Sequence, residues 1–93
     1  MVRLSGTLIC ASEEQLRSVL DNLPEHILLT RREPGCLYFE VVQRSDQPMV
    51  WDVEERFVDQ AAFEAHQERT RASVWAEETR DIVRDYSVVT DPS

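Results

Sequence analysis

Two side chains in this sequence have the chemistry of a proton-transfer pair, His66 and Glu55. His66 follows Phe63 by three residues in a helical segment, so both should lie on nearly the same helix face, directed toward a sheet. A neutral imidazole with a pKa near neutrality can accept a proton from a phenol. The alternative is a histidine that packs in the core and hydrogen-bonds a backbone group. Because no second ligand stands at i+4 or nearby, a metal site at His66 is not expected.

Glu55 is the second candidate, because it stands on an apolar face of a predicted strand. The apolar residues on that face are Trp51, Val53 and Phe57. A carboxylate there must be paired or protonated, and burial raises its pKa. Contact with His66 would orient the imidazole and make it a better base. The alternative is a salt bridge to an arginine on a neighbouring strand, such as Arg3.

The aromatic residues are the third chemical feature. Seven of them could shape a flat slot for a planar ligand, and they are Trp51, Phe39, Tyr38, Phe57, Phe63, Trp75 and Tyr86. Aromatic residues usually pack in the core, and Trp75 and Tyr86 are the expected pocket members because their tips are polar. Arg3, Arg71 and Arg84 could bind a carboxylate or a quinol oxygen, with a surface role as the alternative. The candidate substrate-binding residues are Trp51, Phe39, Phe63, Trp75, Tyr86 and Arg71.

Composition limits the classes of partner. The chain has 93 residues, which is one domain, and 10 basic against 18 acidic residues give a net charge of −8. An acidic surface disfavours nucleic acid and anionic membranes as partners. Cys10 and Cys36 lack metal-site spacing, and in their apolar strand contexts each should behave as a small hydrophobe. The sequence shows neither a signal peptide nor a membrane span, so we expect a cytoplasmic protein.

The first elements that would position these side chains are a strand and a helix. Alternating apolar residues predict strand one over 2–10, and Gly6 within it indicates a bulge or a close approach by another group. A capping box then begins an amphipathic helix that Pro24 interrupts. The capping residues are Ser12 and Gln15, and the apolar helix face is Leu16, Val19, Leu20 and Leu23. His26, just after the proline, is expected to be exposed.

Turn residues and further alternation predict the remaining elements. The helix should end before Glu33-Pro34-Gly35, where Gly35 permits a positive φ. Strands over 36–44 and 49–58 form a hairpin. Asp59 caps a helix over 60–69, and a kink near 70–73, with Ser73 as a second cap, precedes a helical segment over 71–80. The last strand covers 82–89, and 91–93 is a tail.

The predicted order β-α-β-β-α-β is the ferredoxin-like split arrangement of an α+β fold, a four-stranded antiparallel sheet with both helices on one face. Strands two and three carry apolar residues on both faces, whereas a sheet with one solvated face alternates cleanly. In strand two, alternation puts Leu37, Phe39 and Val41 on one face and Tyr38 and Val42 on the other. The second apolar face predicts burial against another copy of the chain. We therefore expect a homodimer.

Two motifs resemble the antibiotic biosynthesis monooxygenase family. One is Glu33-Pro34-Gly35-Cys36-Leu37-Tyr38-Phe39-Glu40-Val41, and the other is Trp51-x-Val53-x-Glu55-x-Phe57-x-Asp59 followed by Ala62-Phe63-Glu64-Ala65-His66. The resemblance covers nearly the whole chain and implies a dimeric α+β barrel with a pocket between helices and sheet. Many members have a second histidine where this chain has Arg71. Haem-degrading members need an asparagine on the first strand, where this chain offers Ser5 and Thr7, so haem chemistry is not expected.

The resemblance implies a cofactor-independent monooxygenase that oxidises a quinol or hydroxylated aromatic substrate with O₂, with His66 as base and Glu55 in support. No cofactor is expected, since the two glycines, Gly6 and Gly35, form no glycine-rich dinucleotide loop. One alternative is a non-catalytic ligand-binding or accessory dimer of the same fold. Another is a small cofactor-free isomerase.

Overall fold

The structure is a computed structural model that describes residues 1–91, so residues 92 and 93 of the predicted tail lie outside the described residues. Four strands and three helices follow one another within these described residues. They are β1 (Val2–Ile9), α1 (Glu13–Arg31), β2 (Cys36–Gln43), β3 (Val50–Phe57), α2 (Gln60–Arg71), α3 (Val74–Thr79) and β4 (Val83–Thr90). Every predicted element is present, and most boundaries agree within about two residues.

The strands form one antiparallel sheet in the order β2-β3-β1-β4. The predicted ferredoxin-like α+β fold is confirmed. One face of the sheet is buried beneath the helices, where alternate residues of β1 and β3 meet the apolar side of α1. These buried residues are Val2, Leu4, Leu8, Trp51, Val53 and Phe57 from the strands, and Val19 and Leu23 from the helix.

Helix α1 is continuous through Pro24, so the predicted interruption is wrong. Pro24 lacks the N–H that would bond the carbonyl of Leu20, and both residues are exposed, so the missing bond falls on the solvent side of the helix. The second half of the helix stays docked because His26 and Thr30 are buried. The predicted apolar position at Leu20 is also wrong, since the buried face runs through Val19, Leu23, His26 and Thr30.

Both glycines allow a close approach between backbones. At Gly6, where φ is +150°, an added Cβ would come within 2.0 Å of the Asp85 carbonyl oxygen on β4, so the predicted close approach is confirmed. Gly35 does not use the positive φ that a glycine permits. Its role is steric, because an added Cβ would lie 2.2 Å from the Cβ of Ala62 on α2. Gly35 therefore lets the turn before β2 lie directly against α2.

Helix caps and one irregularity fix the remaining geometry. Ser12, Asp59 and Ser73 each accept a hydrogen bond from the backbone N–H three residues ahead, so the predicted caps are confirmed. Ala72 ends α2 and Ser73 begins α3, which is the predicted break in the helical segment. In β2 the pairing register shifts between Cys36 and Tyr38. Leu37 is 58% exposed as a result, and not on the apolar face that alternation predicted.

In the part of the chain that the structure describes, no helix covers the opposite face of the sheet, which is mixed in character. Exposed apolar residues there are Ile9, Tyr38, Val42, Val83 and Val89. Between them lie charged residues, including the ion pairs Arg44–Asp52 and Arg56–Glu54. The predicted second apolar face is therefore only partly apolar. Among residues 1–91, no helix is both long and apolar enough to cross a membrane.

Candidate active site

His66 is held by a carboxylate that the sequence did not single out. Helix α2 places the imidazole under the sheet with 2% of its side chain exposed. Its Nδ1 lies 3.0 and 3.2 Å from the two carboxylate oxygens of Glu33, in the turn between α1 and β2. Arg69 forms an ion pair with the same carboxylate and donates a second hydrogen bond, 2.9 Å long, to Thr30 Oγ1. Glu33 thus holds the imidazole in place, and Arg69 in turn holds the carboxylate of Glu33.

This contact sets the tautomer of the ring. Burial lowers the pKa of His66, against the opposing effect of Glu33, so the neutral imidazole is favoured. A neutral ring beside a carboxylate carries its proton on Nδ1 and donates it to Glu33, which leaves the lone pair on Nε2. Nε2 lies 3.6 Å from Oε1 of Glu55 and 3.4 Å from Oγ1 of Thr70. The available base atom therefore points at the second candidate residue.

Glu55 sits on β3 with its carboxyl group buried. Over the described part of the chain, its Oε1 has no hydrogen-bond partner. Burial, with the nearby charges of Glu33 and Glu54, raises the pKa of Glu55 to about 7. The alternative of a salt bridge between Glu55 and Arg3 is wrong. The Arg3 side chain lies on the opposite face of the sheet, where it pairs with Asp91 at 3.2 Å. Near neutral pH this carboxyl group can hold or release a proton beside the imidazole.

Both groups open onto one cleft of about 350 Å³ between α2, α3 and the sheet. This volume falls at the small end of the range for small-molecule sites. Its lining is Leu4, His26, Glu55, His66, Gln67, Thr70, Arg71, Trp75, Ala76, Arg80, Arg84 and Tyr86. Of the predicted substrate-binding residues, Trp75, Tyr86 and Arg71 stand in this wall.

The other three predicted substrate-binding residues, Trp51, Phe39 and Phe63, are buried in the core and are not part of the cleft wall. Phe39 packs edge-on against His66 with ring centroids 5.8 Å apart. Phe57 stacks on the imidazole at 4.8 Å, and Phe63 packs against Phe57 at 5.7 Å. These aromatic rings remove water from around His66, which is the physical cause of its lowered pKa.

His26 is buried, with 5% exposed, so the prediction of an exposed residue is wrong. Its ring stacks on Trp75 at 4.8 Å and lies 6.0 Å from the His66 ring. Burial, and then the neighbouring charges of His66, Arg69 and Arg84, lower the pKa of His26 to about 3. The ring is therefore a neutral part of the cleft wall. The spacing of Val19, Leu23 and His26 along α1 would have identified it once Pro24 was allowed inside a continuous helix.

Tyr86 and Arg84 line the cleft from β4. Burial raises the pKa of Tyr86 to about 12, so its hydroxyl stays protonated and can donate a hydrogen bond. Arg84 donates to the backbone oxygens of Thr79 and Ile82 at 2.8 and 3.0 Å, and to Thr79 Oγ1 at 2.8 Å. These bonds tie β4 to the end of α3. Together the two residues fix that wall of the cleft.

The chain is similar to one protein family and to several solved structures. The sequence model of the family described as "Antibiotic biosynthesis monooxygenase" matches residues 1–78. A search of curated proteins gives no significant match. Among solved structures, a protein from Bacteroides thetaiotaomicron named as a candidate antibiotic biosynthesis monooxygenase is 29% identical, with a TM-score of 0.77 over 100% of this chain and 88% of its own.

Two more distant structures share the fold. A protein from Nitrosomonas europaea, also named as a candidate antibiotic biosynthesis monooxygenase, has a TM-score of 0.84 at 17% identity, over 98% of each chain. SnoaB, a cofactor-independent oxygenase from Streptomyces nogalater, has a TM-score of 0.76 at 14% identity, over 99% of this chain and 93% of its own. At these identities the likeness establishes the common architecture alone.

Proposed function

This chain belongs to the antibiotic biosynthesis monooxygenase family, and on that premise we propose that it is a cofactor-independent monooxygenase acting on a quinol or hydroxylated aromatic substrate. The observation that carries the proposal is the oriented imidazole. His66 is buried and neutral, its Nδ1 proton is donated to Glu33, and its Nε2 faces a cleft walled by Trp75 and Tyr86. This is the arrangement of a base that accepts a proton from a phenolic hydroxyl.

Proton acceptance starts the proposed reaction. The Nε2 lone pair of His66 takes the hydroxyl proton, and Glu33 stabilises the resulting imidazolium through its hydrogen bond to Nδ1. Glu55, whose pKa is about 7, lies 3.6 Å from Nε2 and serves as the second proton store. The protein thereby creates a phenolate inside a partly enclosed cleft, where a less hydrated negative charge is more reactive toward an electron acceptor.

The substrate supplies all the electrons in this scheme. A quinol that gains one oxygen atom and becomes a hydroxyquinone loses four electrons, and O₂ accepts four. One oxygen atom enters the ring, the other leaves as water, and no further reductant is required. The contribution of the chain is a base, a planar slot and exclusion of water. We also propose that the working form is a homodimer that pairs the helix-free faces of two sheets.

Oxygen uptake with menadiol as substrate tests this function. Wild type should consume O₂ above the rate of spontaneous oxidation, and His66→Gln should lower kcat by about 10²- to 10⁴-fold, the range for loss of a general base. Glutamine retains polarity and approximate size, and circular dichroism should show the same fold. Equal rates would remove His66 from the mechanism. Product formation under argon at the aerobic rate would instead identify an isomerase.

Glu33→Gln separates positioning from proton transfer. The amide can accept from Nδ1 but carries no charge to stabilise the imidazolium, so kcat should fall while KM stays within about twofold. The pH profile should also change, because the carboxylate favours the protonated ring and its removal lowers the pKa of His66 further. A merely structural role for Glu33 would lower stability without moving the pH profile.

A further inference from the structure

The cleft carries positive charge in a chain whose net charge is −8. Three arginines line it, Arg71, Arg80 and Arg84, against the single carboxyl group of Glu55. Within residues 1–91, four of the ten arginines form ion pairs, and the cleft holds three of the six that do not, the other three being on or just after α1. In a protein with 18 acidic side chains, a cleft lined by three arginines and one carboxyl group runs against the overall composition.

The three arginines differ in how far neighbouring groups balance their positive charge. Arg84 donates to neutral oxygens of Thr79 and Ile82, which orient the guanidinium but do not cancel its charge. Arg80 also lines a neighbouring groove with Glu77 and Glu78, so its charge is partly balanced. Arg71 is exposed at the end of α2. Arg71 and Arg84 therefore supply most of the positive potential.

Glu55 does not neutralise this potential. Its buried carboxyl group has a pKa of about 7, so near neutral pH a large share of it is uncharged. Glu33 lies behind His66 and is paired with Arg69. The cleft thus presents a neutral imidazole at its floor and guanidinium groups in its wall, and a guanidinium binds a carboxylate in a directional, two-bond geometry.

We propose that the substrate of this cleft is a hydroxyaromatic acid, whose carboxylate is bound by Arg71 and Arg84 while its hydroxyl meets His66. Trp75 and Tyr86 accommodate the planar rings between these two contacts. The aromatic and hydroxyl parts rest on the proposed function, whereas the carboxylate rests on the unpaired arginines alone. Arg71 is then a residue that sets specificity and takes no part in proton transfer.

A matched pair of ligands tests the charge by itself. 6-Hydroxy-2-naphthoate and 6-hydroxy-2-naphthamide carry the same rings and the same hydroxyl at the far end of the ring system, and differ only in having a carboxylate or an amide. Under argon, which prevents turnover, titration calorimetry should show the acid binding about tenfold more tightly than the amide. The preference should shrink as NaCl is raised from 20 to about 500 mM, because the contact is partly exposed. Equal binding, or a preference that salt does not affect, would overturn the proposal.

Arg71→Gln locates the contact. The acid preference should fall to within about threefold, while affinity for the amide stays unchanged. Arg17→Gln is the matched control, since it removes the same charge from an exposed site on α1 away from the cleft and should keep the full preference. If Arg71→Gln does not fold, the wild-type salt series with the acid and the amide still decides the question. Acid-selective binding without O₂ uptake would refute the proposed function alone, and O₂ uptake without acid selectivity would refute this inference alone.

Discussion

At the scale of single residues, the site is a set of buried ionisable groups whose pKa values move in opposite directions. Burial favours the neutral form of each, so the pKa of Glu55 rises to about 7 while that of His26 falls to about 3. Burial also lowers the pKa of His66, and the negative charge of Glu33 limits that decrease. A basic imidazole and a proton-bearing carboxyl group can therefore coexist side by side near neutral pH.

The raised pKa of Glu55 predicts a definite pH dependence of stability. The folded protein binds the carboxyl proton more tightly than the unfolded chain, so the free energy of unfolding falls as pH rises from about 4.5 to 7. Glu55→Gln mimics the protonated form and removes this dependence. Relative to the variant, wild type should lose up to about 3 kcal/mol between pH 4 and pH 8. Urea unfolding of both proteins at each pH measures the difference.

Comparing the two proteins cancels the other titrating groups. His26 acts in the reverse sense, because its lowered pKa makes the protein less stable as pH falls from 6.5 toward 3. That loss occurs equally in wild type and in Glu55→Gln. A difference between the two that stays constant with pH would mean that Glu55 titrates near its ordinary value. The oriented dyad of His66 and Glu33 would then have no second proton store.

At the scale of elements, the contact between the turn at Gly35 and helix α2 brings Glu33 to His66. An added Cβ on Gly35 would lie 2.2 Å from that of Ala62 and 3.3 Å from Cγ1 of Val58. Gly35→Ala should therefore push the turn from α2, lower the free energy of unfolding by about 1–3 kcal/mol, and lengthen the Glu33–His66 contact. Chemical denaturation measures the first effect, and the pH profile of activity reports the second.

A compensating substitution makes that prediction specific. Ala62→Gly removes the other member of the clash at a cost of about 1 kcal/mol in the helix. The double variant Gly35→Ala/Ala62→Gly should be more stable than the sum of the two single changes, with a coupling of about 1–2 kcal/mol. Strict additivity would show that the two Cβ positions do not meet.

The elements and the site differ in how far the sequence could predict them. Strands, caps and the split topology follow from local patterns, because alternation and capping act over a few residues. Pro24 was misjudged because burial of His26 and Thr30 holds the helix beyond it, and that burial depends on the assembled core. Leu37 was misplaced because a register shift depends on the partner strand. Glu33 belongs to the first of the two motifs, but its contact at 3.0 Å with His66, 33 residues away, exists only in the folded chain.

At the scale of the whole molecule, the helix-free face of the sheet exposes apolar side chains. Val42 is 52% exposed, Val83 56% and Val89 51%, and all lie on strands at the two edges of the sheet. The acids between them are partly balanced, because Arg44 pairs with Asp52 at 2.9 Å and Arg56 with Glu54 at 3.3 Å. Such a face can pair with its own copy around a two-fold axis, where apolar edges meet and internal ion pairs stay intact.

Light scattering after size exclusion tests the homodimer, and wild type at micromolar concentration should have twice the 10.8 kDa mass of the chain.

Val42→Glu adds an acid next to Glu40 and Asp52 in each copy, and should shift the dissociation constant upward by at least about tenfold through desolvation and like-charge repulsion. Leu28→Glu is the matched control, because Leu28 is 50% exposed and lies on α1, away from that face. A wild-type monomer would exclude the dimer, and equal dissociation of both variants would place the interface elsewhere. Because the base, the carboxyl group and the cleft all belong to one chain, a monomeric Val42→Glu should retain measurable acid binding, which separates assembly from recognition.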